Sequence, residues 1–389
     1  MQVIYFHTYG GEINNGVNKK IFAQATQLNA SGIDFSLVLL GGINNNYPDH
    51  NFINYLPIKD SLFLKIMVFR RFYRQFLAKK YILEVQKSSG TGTVLYLRYP
   101  LPILLLPHEL LTKRNCKIIL ECNSIEINEQ KKAKSYISYY KELFLGQEFR
   151  KRCDAIVGVT DEITHYQLER LGNFNKPHIT IGNGIEVNSV PIRQPPPYSG
   201  STIHMICVGN VSSWHGIDRL VQGTAEYKGP TKINIHIVGD GPEIPYLKKM
   251  IDNLKINDHF DFHGFTTGKE LDAVFDHCHI AIGSLGIHRI GLKEASILKA
   301  REYCSRGIPY ITACSDPDFT DDFPFVLKLS SEDTSLDMEQ VLAFTHRVFQ
   351  DTDHPQKMRL YASENLDWSI KMKKLKGFLE DLVKDDHPT

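Results

Sequence analysis

Short runs rich in Val, Ile, Leu and Phe alternate with stretches of helical period along most of the chain. Residues 3–6 read as a strand. Residues 18–30 have helical spacing, with Ile21, Ala25 and Leu28 on one side, and residues 35–40 form a second apolar strand. A strand–helix–strand order of this kind predicts a right-handed parallel unit. Further strands are expected at 93–97, 117–122 and 155–159. After residue 200 the series restarts with a strand at 203–208, a glycine loop and a helix from about Ile217, followed by strands at 233–238, 260–262, 279–282 and 310–312. Near-continuous apolar strands fit sheets covered on both faces.

The pattern breaks once, at Val190-Pro-Ile-Arg-Gln-Pro-Pro-Pro-Tyr-Ser-Gly200, where three consecutive prolines exclude a helix or a central strand. This gives an α/β chain of two Rossmann-like, doubly wound domains, a division that 389 residues also favour. The expected parts are residues 1–188, a linker at 189–200, a second domain at 201–360, and a helical segment at 361–389 packing back toward the first domain. Tandem doubly wound domains bind ligands at the carboxyl ends of their strands, in a cleft that the domains face.

Composition narrows the classes. Apolar content of 42% and charged content of 23% are those of a globular protein, and a net charge of +1 gives no global attraction to nucleic acid or membrane. Seven cysteines without C-x-x-C spacing read as reduced thiols in a cytoplasmic protein. The opening residues have no basic segment followed by a long apolar one, which argues against a signal peptide. One local patch stands out. The run from Lys65 to Lys80 carries six positive charges and no acid, with Phe69, Phe72, Tyr73 and Phe76 at helical spacing. It reads either as a solvated basic surface helix or as an interfacial helix meeting anionic lipid.

The expected strand ends carry the candidate chemistry. Gly10, Gly11 and Gly16 follow the first strand without forming G-x-G-x-x-G, yet still permit close backbone approach to a phosphate. Gly209-Asn-Val-Ser-Ser-Trp-His-Gly216 opens the second domain in the same position, and Asn210 and a protonated His215 are candidate donors to phosphate oxygens. Gly264 and Phe265 end another strand, where main-chain groups can meet a base edge. Arg98 and Asn123 follow two strands of the first domain, beside Glu121 and Glu126.

The most informative stretch is Gly291 to Pro309, where Glu294 and Glu302 flank an apolar segment containing Lys299. Eight residues of ideal helix would set the carboxylates about 80° apart around the axis, so the first is expected in a loop and the second on the helix. Carboxylates accept hydrogen bonds from sugar hydroxyls, and a helix start with a lysine holds anions. Two surface glutamates beside a helix start would show the same spacing.

Together these pieces resemble glycosyltransferase family 4. Glu294-x7-Glu302 followed by Gly307-Ile-Pro309 is similar to that family's E-x7-E motif. Gly209 to Leu220 looks like its second-domain opening, Phe262-His-Gly-Phe265 like its base-binding strand end, and Ile181-Gly-Asn-Gly-Ile185 like its N-G-[IV]-D segment. Ser296-Ile-Leu-Lys-Ala-Arg-Glu302 and Trp214-His-Gly216 look like a bacterial surface-polysaccharide branch. The resemblance implies a GT-B fold and a metal-independent, retaining hexosyltransferase without cofactor. It places Glu302 on the ribose of a UDP- or GDP-linked sugar and Glu294 near the sugar, with Gly209, Asn210, Gly216 and the backbone of Ser296, Ile297 and Leu298 around the diphosphate. Glu294, Lys299 and His215 would be the catalytic set, and Arg98 and Asn123 the acceptor side. The implied acceptor is a glycan or lipid-linked precursor, with Lys65 to Lys80 touching the inner face of the membrane and no nucleic acid as partner. Three positions depart from the family pattern: Asn210 and His215 stand where an arginine and a lysine are usual, and Glu186 stands where the N-G-[IV]-D segment ends in aspartate. Asn210 and His215 motivate one alternative, a catalytically silent GT-B partner, and the shared architecture leaves a second, a sugar-nucleotide epimerase.

Overall fold

The computed structural model describes residues 1–8, 16–41, 50–56, 67–99, 107–110, 115–132 and 134–384. In chain order the elements are β1 (Gln2–Thr8), α1 (Gly16–Ala30), β2 (Asp34–Leu40), β3 (Ile53–Leu56), α2 (Met67–Ser88), β4 (Thr93–Tyr99), β5 (Cys116–Cys122), α3 (Glu126–Lys132), α4 (Tyr136–Arg152), β6 (Ala155–Gly158), α5 (Asp161–Leu171) and β7 (His178–Thr180). There follow β8 (Thr202–Val208), α6 (Ile217–Glu226), β9 (Lys232–Val238), α7 (Ile244–Leu254), β10 (Phe260–Gly264), α8 (Gly268–His277), β11 (Ile280–Ile282), α9 (Leu298–Arg306), β12 (Tyr310–Thr312), β13 (Val326–Lys328), α10 (Met338–Val348), α11 (His354–Asn365) and α12 (Trp368–Lys384).

The strands form two sheets, ordered β3-β2-β1-β4-β5-β6-β7 and β10-β9-β8-β11-β12-β13. All pairings are parallel. Both sheets are covered on both faces, and the strands alternate between two clusters. Ile4 and Phe6 of β1 pack with Leu95 and Leu97 of β4 under α2 and α5, whereas Val3 and Tyr5 pack with Val94 and Tyr96 under α1 and α12. Burial of this kind is worth ~1.5–3 kcal/mol per large apolar side chain, so each strand is fixed in register from both sides. In each sheet the order reverses once, between β1 and β4 and between β8 and β11. A reversal opens a crevice at the strand carboxyl ends.

The chain divides into one unit of residues 1–182 with 368–389 and another of residues 183–367. Two details differ from the expected division. Residues 189–200 are not a free linker. Arg193 is buried, and its guanidinium donates to the carbonyls of Gly307 (3.1 Å), Cys278 (2.5 Å) and His279 (3.2 Å). These carbonyls end α8 and α9 or begin β11, so the segment is strapped to the second unit by the groups that helix ends leave unpaired. In the tail, α11 stays with the second unit through residue 367. α12 belongs to the first, where Trp368, Met372, Leu375 and Leu379 enter the cluster around Tyr5 and Leu28.

Candidate active site

In the second unit the crevice at the β8/β11 reversal is built by three segments. The first is the loop from Gly209 to Gly216 after β8. It closes in a short 3-10 turn, Ser213–His215, and Gly216 then starts α6 in the left-handed conformation, φ 62°. The second is the loop after β11. Leu285 N–H donates to His215 O (2.9 Å) and Gly286 N–H to Trp214 O (3.2 Å), which ties the two loops together. A Cβ on Gly216 would lie 2.7 Å from the Leu285 carbonyl carbon and 2.8 Å from the Gly286 nitrogen. Gly216 is required twice over, by its φ and by this close approach. Gly216→Ala should therefore cost more than ~1 kcal/mol and separate the loops, a loss that a denaturation midpoint will read.

The third segment runs from Glu294 into α9. Ala295 N–H donates to Ser315 O (2.9 Å) and Ser315 N–H to Lys293 O (3.1 Å), which fixes half-buried Glu294 ahead of the helix. Leu298 begins α9, and Gly307 ends it in the left-handed conformation, φ 74°, with its N–H on Cys304 and Tyr303 carbonyls. Glu302 therefore sits on the helix. Its Oε1 accepts from Arg306 Nε (2.9 Å), while Arg306 also reaches Asp272 (2.7 Å). Ser296 is committed within the fold: its hydroxyl accepts from Asn183 N (2.7 Å) and its carbonyl from Asn183 Nδ2 (2.6 Å). Ile297 N–H points to Asp316 Oδ2 (3.4 Å). The amides of Leu298 and Lys299 lie in the first turn, where helix geometry supplies no acceptor.

Lys299 is the unusual group. Its Nζ is buried and has no hydrogen-bond partner among the described residues. Burial pulls its pKa down, and Cys207 and Cys314, the neighbours that oppose the shift, are thiols rather than carboxylates. An unpaired buried ammonium is costly, so an anion delivered to this point is worth more than at a surface lysine.

His215 differs from its expected charged form. It is buried, and its Nδ1 accepts from Ser212 N–H (2.9 Å), which leaves the proton on Nε2. Burial, and after it the charge of Lys299, lowers its pKa to about 3. His215 is thus a neutral donor through Nε2 and brings no positive charge to the crevice. Asn210 is exposed, with its carbonyl accepting from Ser212 Oγ (3.4 Å). Gly209 (φ 132°) and Gly264 (φ 66°) both border open space, and Phe265 stands 86% exposed at the end of β10.

In the first unit, Arg98 and Asn123 end β4 and follow β5. Asn123 Oδ1 accepts from Lys20 Nζ (2.5 Å), and Lys20 pairs with buried Glu121 (3.1 Å), which also accepts from Tyr5 OH (2.7 Å). Burial would raise the Glu121 pKa, but Lys20 and Arg98 outweigh it and bring it to about 2. Arg98 Nη1 and Asn123 Nδ2 are buried without a hydrogen-bond partner among the described residues. Gly10 and Gly11 lie outside the described residues. Glu126 is a core group: with Glu142 it clasps fully buried Arg150 (3.2 and 2.7 Å).

Sequence reasoning missed the scaffold under α9. Arg301 is fully buried and binds Asp316 through both terminal nitrogens, Asp318 through one, and the carbonyls of Asn183 (2.9 Å) and Ile297 (3.2 Å). The available signal was an acid pair, Asp316-x-Asp318, just after a strand and without a basic residue beside it.

Comparison with known proteins agrees with this architecture. Residues 192–316 match the model described as glycosyl transferases group 1. No curated protein matches the chain. Among solved structures, the chain is similar to sucrose-phosphate synthase from Thermosynechococcus elongatus, with a TM-score of 0.68 at 14% identity over 99% of this chain and 100% of that one. It is similar to the lipopolysaccharide outer core galactosyltransferase WaaB, with a TM-score of 0.63 at 13% identity over 98% and 99%. It is also similar to HepE of Anabaena in complex with UDP and glucose, with a TM-score of 0.62 at 11% identity over 98% and 100%. The fold is therefore GT-B, and residues 192–316 form a glycosyl transferases group 1 domain.

Proposed function

We propose that the protein moves a hexose, with retention, from a nucleotide-diphosphate donor to an acceptor hydroxyl. The observation that carries this reading is Lys299: a buried ammonium without a hydrogen-bond partner among the described residues, in the first turn of a helix, at the crevice where the sheet order reverses. A diphosphate supplies the missing counter-charge, and the Leu298 and Lys299 amides add the helix N-terminus. Neutral His215 donates one more hydrogen bond. Glu302 binds the ribose hydroxyls through the carboxylate capacity that Arg306 leaves over, and Glu294 orients the sugar. The bond from the anomeric carbon to the phosphate oxygen breaks while the acceptor oxygen bonds to the same face, and the acceptor proton passes to the leaving diphosphate. Catalysis is then stabilisation of the leaving group and positioning, and a divalent ion is not part of it.

Fixed charge on the phosphates is lean, because Asn210 and His215 are neutral. This favours a second reading, a partner subunit that binds donor without turnover. A panel of UDP- and GDP-sugars in chelator separates the two. Transfer requires one donor that raises the melting temperature and is slowly hydrolysed. Stabilisation without hydrolysis or transfer supports the silent partner, and indifference to every donor overturns both. A UDP-sugar is expected to respond, since HepE carries UDP.

The acceptor we propose is a lipid-linked or surface glycan precursor, with Arg98 and Asn123 on the acceptor side and the protein at the inner face of the membrane. No helix among the described residues is long and apolar enough to cross a membrane. Support comes from surfaces of the first unit. Phe72 and Phe76 of α2 are about half exposed, within the basic run. Within that run, Lys79 meets Glu109 (2.5 Å) and Lys80 meets Glu84 (3.7 Å). Sequence reading overlooked α4, which leaves Tyr136, Ile137, Tyr140 and Phe144 exposed on a helix whose last turn is basic. Exposed apolar groups next to cations suit a lipid interface. Vesicles containing anionic lipid should pellet the protein at low salt, and Ile137→Glu with Phe144→Glu should release it; equal pelleting of the double variant excludes this surface.

A further inference from the structure

A second polar cluster of the second unit has no part in the reaction proposed above. His204 on β8, His236 on β9 and His277 at the end of α8 stand in mutual contact, with His263 on β10 against His236 and His279 against His204; ring centroids are 4.1 Å apart for His204 and His277 and 5.3 Å for His204 and His236. His204 and His236 point to the same face because β8 and β9 pair with Ile206 opposite His236, two residues along from His204.

We propose that His204, His236 and His277 form a binding site for one divalent transition-metal ion of the zinc class. One ring nitrogen from each lies within 4.8 Å of those of the other two. His204 Nδ1 and His236 Nε2 are 3.0 Å apart. Two imidazoles on one tetrahedral zinc, each bonded at ~2.0–2.1 Å, place their nitrogens roughly 3.3 Å apart, so this pair needs little movement.

The outer nitrogens also have the partners that metal-bound histidines need. His236 Nδ1 lies 3.5 Å from Asp261 Oδ2 and 3.1 Å from His263 Nε2, so its N–H has an acceptor once Nε2 ligates. His204 Nε2 faces the side-chain amide of Asn234 at 3.4 Å, an amide whose oxygen can take that N–H. Such contacts fix the tautomer and raise ligand basicity. Burial holds His236 neutral, with a pKa of about 4, and lowers that of His204, so the lone pairs are available at neutral pH. Three imidazoles suit zinc, nickel or copper rather than magnesium or calcium. His277 is exposed and gives the ion its route in, with the fourth position left to water. A bound ion joins β8, β9 and the end of α8.

The bland arrangement with the same 3.0 Å contact is an N–H···N hydrogen bond between His204 and His236, which asks nothing of His277. The test uses the untagged full chain, stripped with chelator and titrated with Co²⁺ and then Zn²⁺. Expected are saturation at one equivalent, a tetrahedral Co²⁺ spectrum that Zn²⁺ removes, and a rise in melting temperature. His277→Gln lies at the surface and should fold normally while weakening binding at least ten-fold. Asp261→Asn should weaken it roughly 10- to 100-fold through His236, and exposed His178→Gln should change nothing. Absence of one-equivalent saturation, or binding unaltered in His277→Gln, overturns the site.

Discussion

Lys299→Met should lose turnover by roughly 10²–10³-fold, the size of effect seen when one preorganised donor to a developing negative charge is removed, or ~2.7–4 kcal/mol of barrier. The same substitution should leave the fold intact or make it more stable. Wild type leaves the Lys299 ammonium buried without a hydrogen-bond partner among the described residues, and the groups that oppose the fall in its pKa are thiols, not carboxylates. A buried unsatisfied polar group costs ~1–3 kcal/mol, and methionine fills similar volume without that cost. The sign of the pH dependence is also fixed. The Lys299 pKa is lowered in the folded state, so between the ordinary lysine value and the lowered one the unfolded chain binds more protons. Wild-type stability therefore falls as pH falls through that window, and Lys299→Met lacks that slope. Loss of activity with gain of stability is what a binding group under strain shows, and it is opposite to a structural lysine. Steady-state transfer with the responding donor, alongside urea midpoints at two pH values, checks both halves. Turnover within a few-fold of wild type would remove Lys299 from the phosphate site. Clear destabilisation would show that its stem or charge serves the core.

The contrast between Lys299 and its neighbours explains what was legible in the sequence. The inner strands were readable because a parallel sheet covered on both faces needs continuous apolar runs, as in Val94 to Leu97 or Ile203 to Val208. β3, β7 and β13 were missed. All three are edge strands of three or four residues, and edge strands carry fewer apolar positions and more polar ones, as in His178–Thr180. The E-x7-E stretch was readable as a loop followed by a helix because both glutamates and Gly307-x-Pro309 lie within one local segment. The supports of that segment come from afar. Asn183 meets Ser296 across 113 positions, and Arg301 reaches the Asn183 carbonyl across 118. No spacing rule connects such pairs. The protonation of His215 was equally hidden: a sequence shows a histidine after a strand, whereas its neutral state follows from burial, the Ser212 N–H on Nδ1 and the cation beside it. Arg193 shows the same limit in reverse. A proline-rich run does exclude helix, but only the fold reveals that one arginine within it satisfies three carbonyls.

Arg301→Met should be the most damaging single change to stability in the second unit. The guanidinium is fully buried, and the side chains of Asp316 and Asp318 keep only 7% and 14% of their exposure. Removing the cation leaves both carboxylates in low-dielectric surroundings and frees the carbonyls of Asn183 and Ile297. Breaking a buried pair from one side typically costs ~3–5 kcal/mol, a large share of the ~5–15 kcal/mol that keeps a domain folded. Arginine holds the Asp316 carboxylate with two nitrogens, so Arg301→Lys should recover only part of the loss. Adding Asp316→Asn and Asp318→Asn to Arg301→Met should restore much of it, because the stranded charges are then gone. Melting temperatures of the single, triple and lysine variants decide the matter. A single variant within ~1 kcal/mol of wild type would mean that water reaches the two aspartates in solution and that the cluster is not a closed ionic core. The triple variant has a second use. Arg301 ties Asn183 and Ile297 to the start of α9, so a refolded chain without it should bind the donor more weakly while Lys299 remains in place. That result would separate the scaffold of the site from its chemistry.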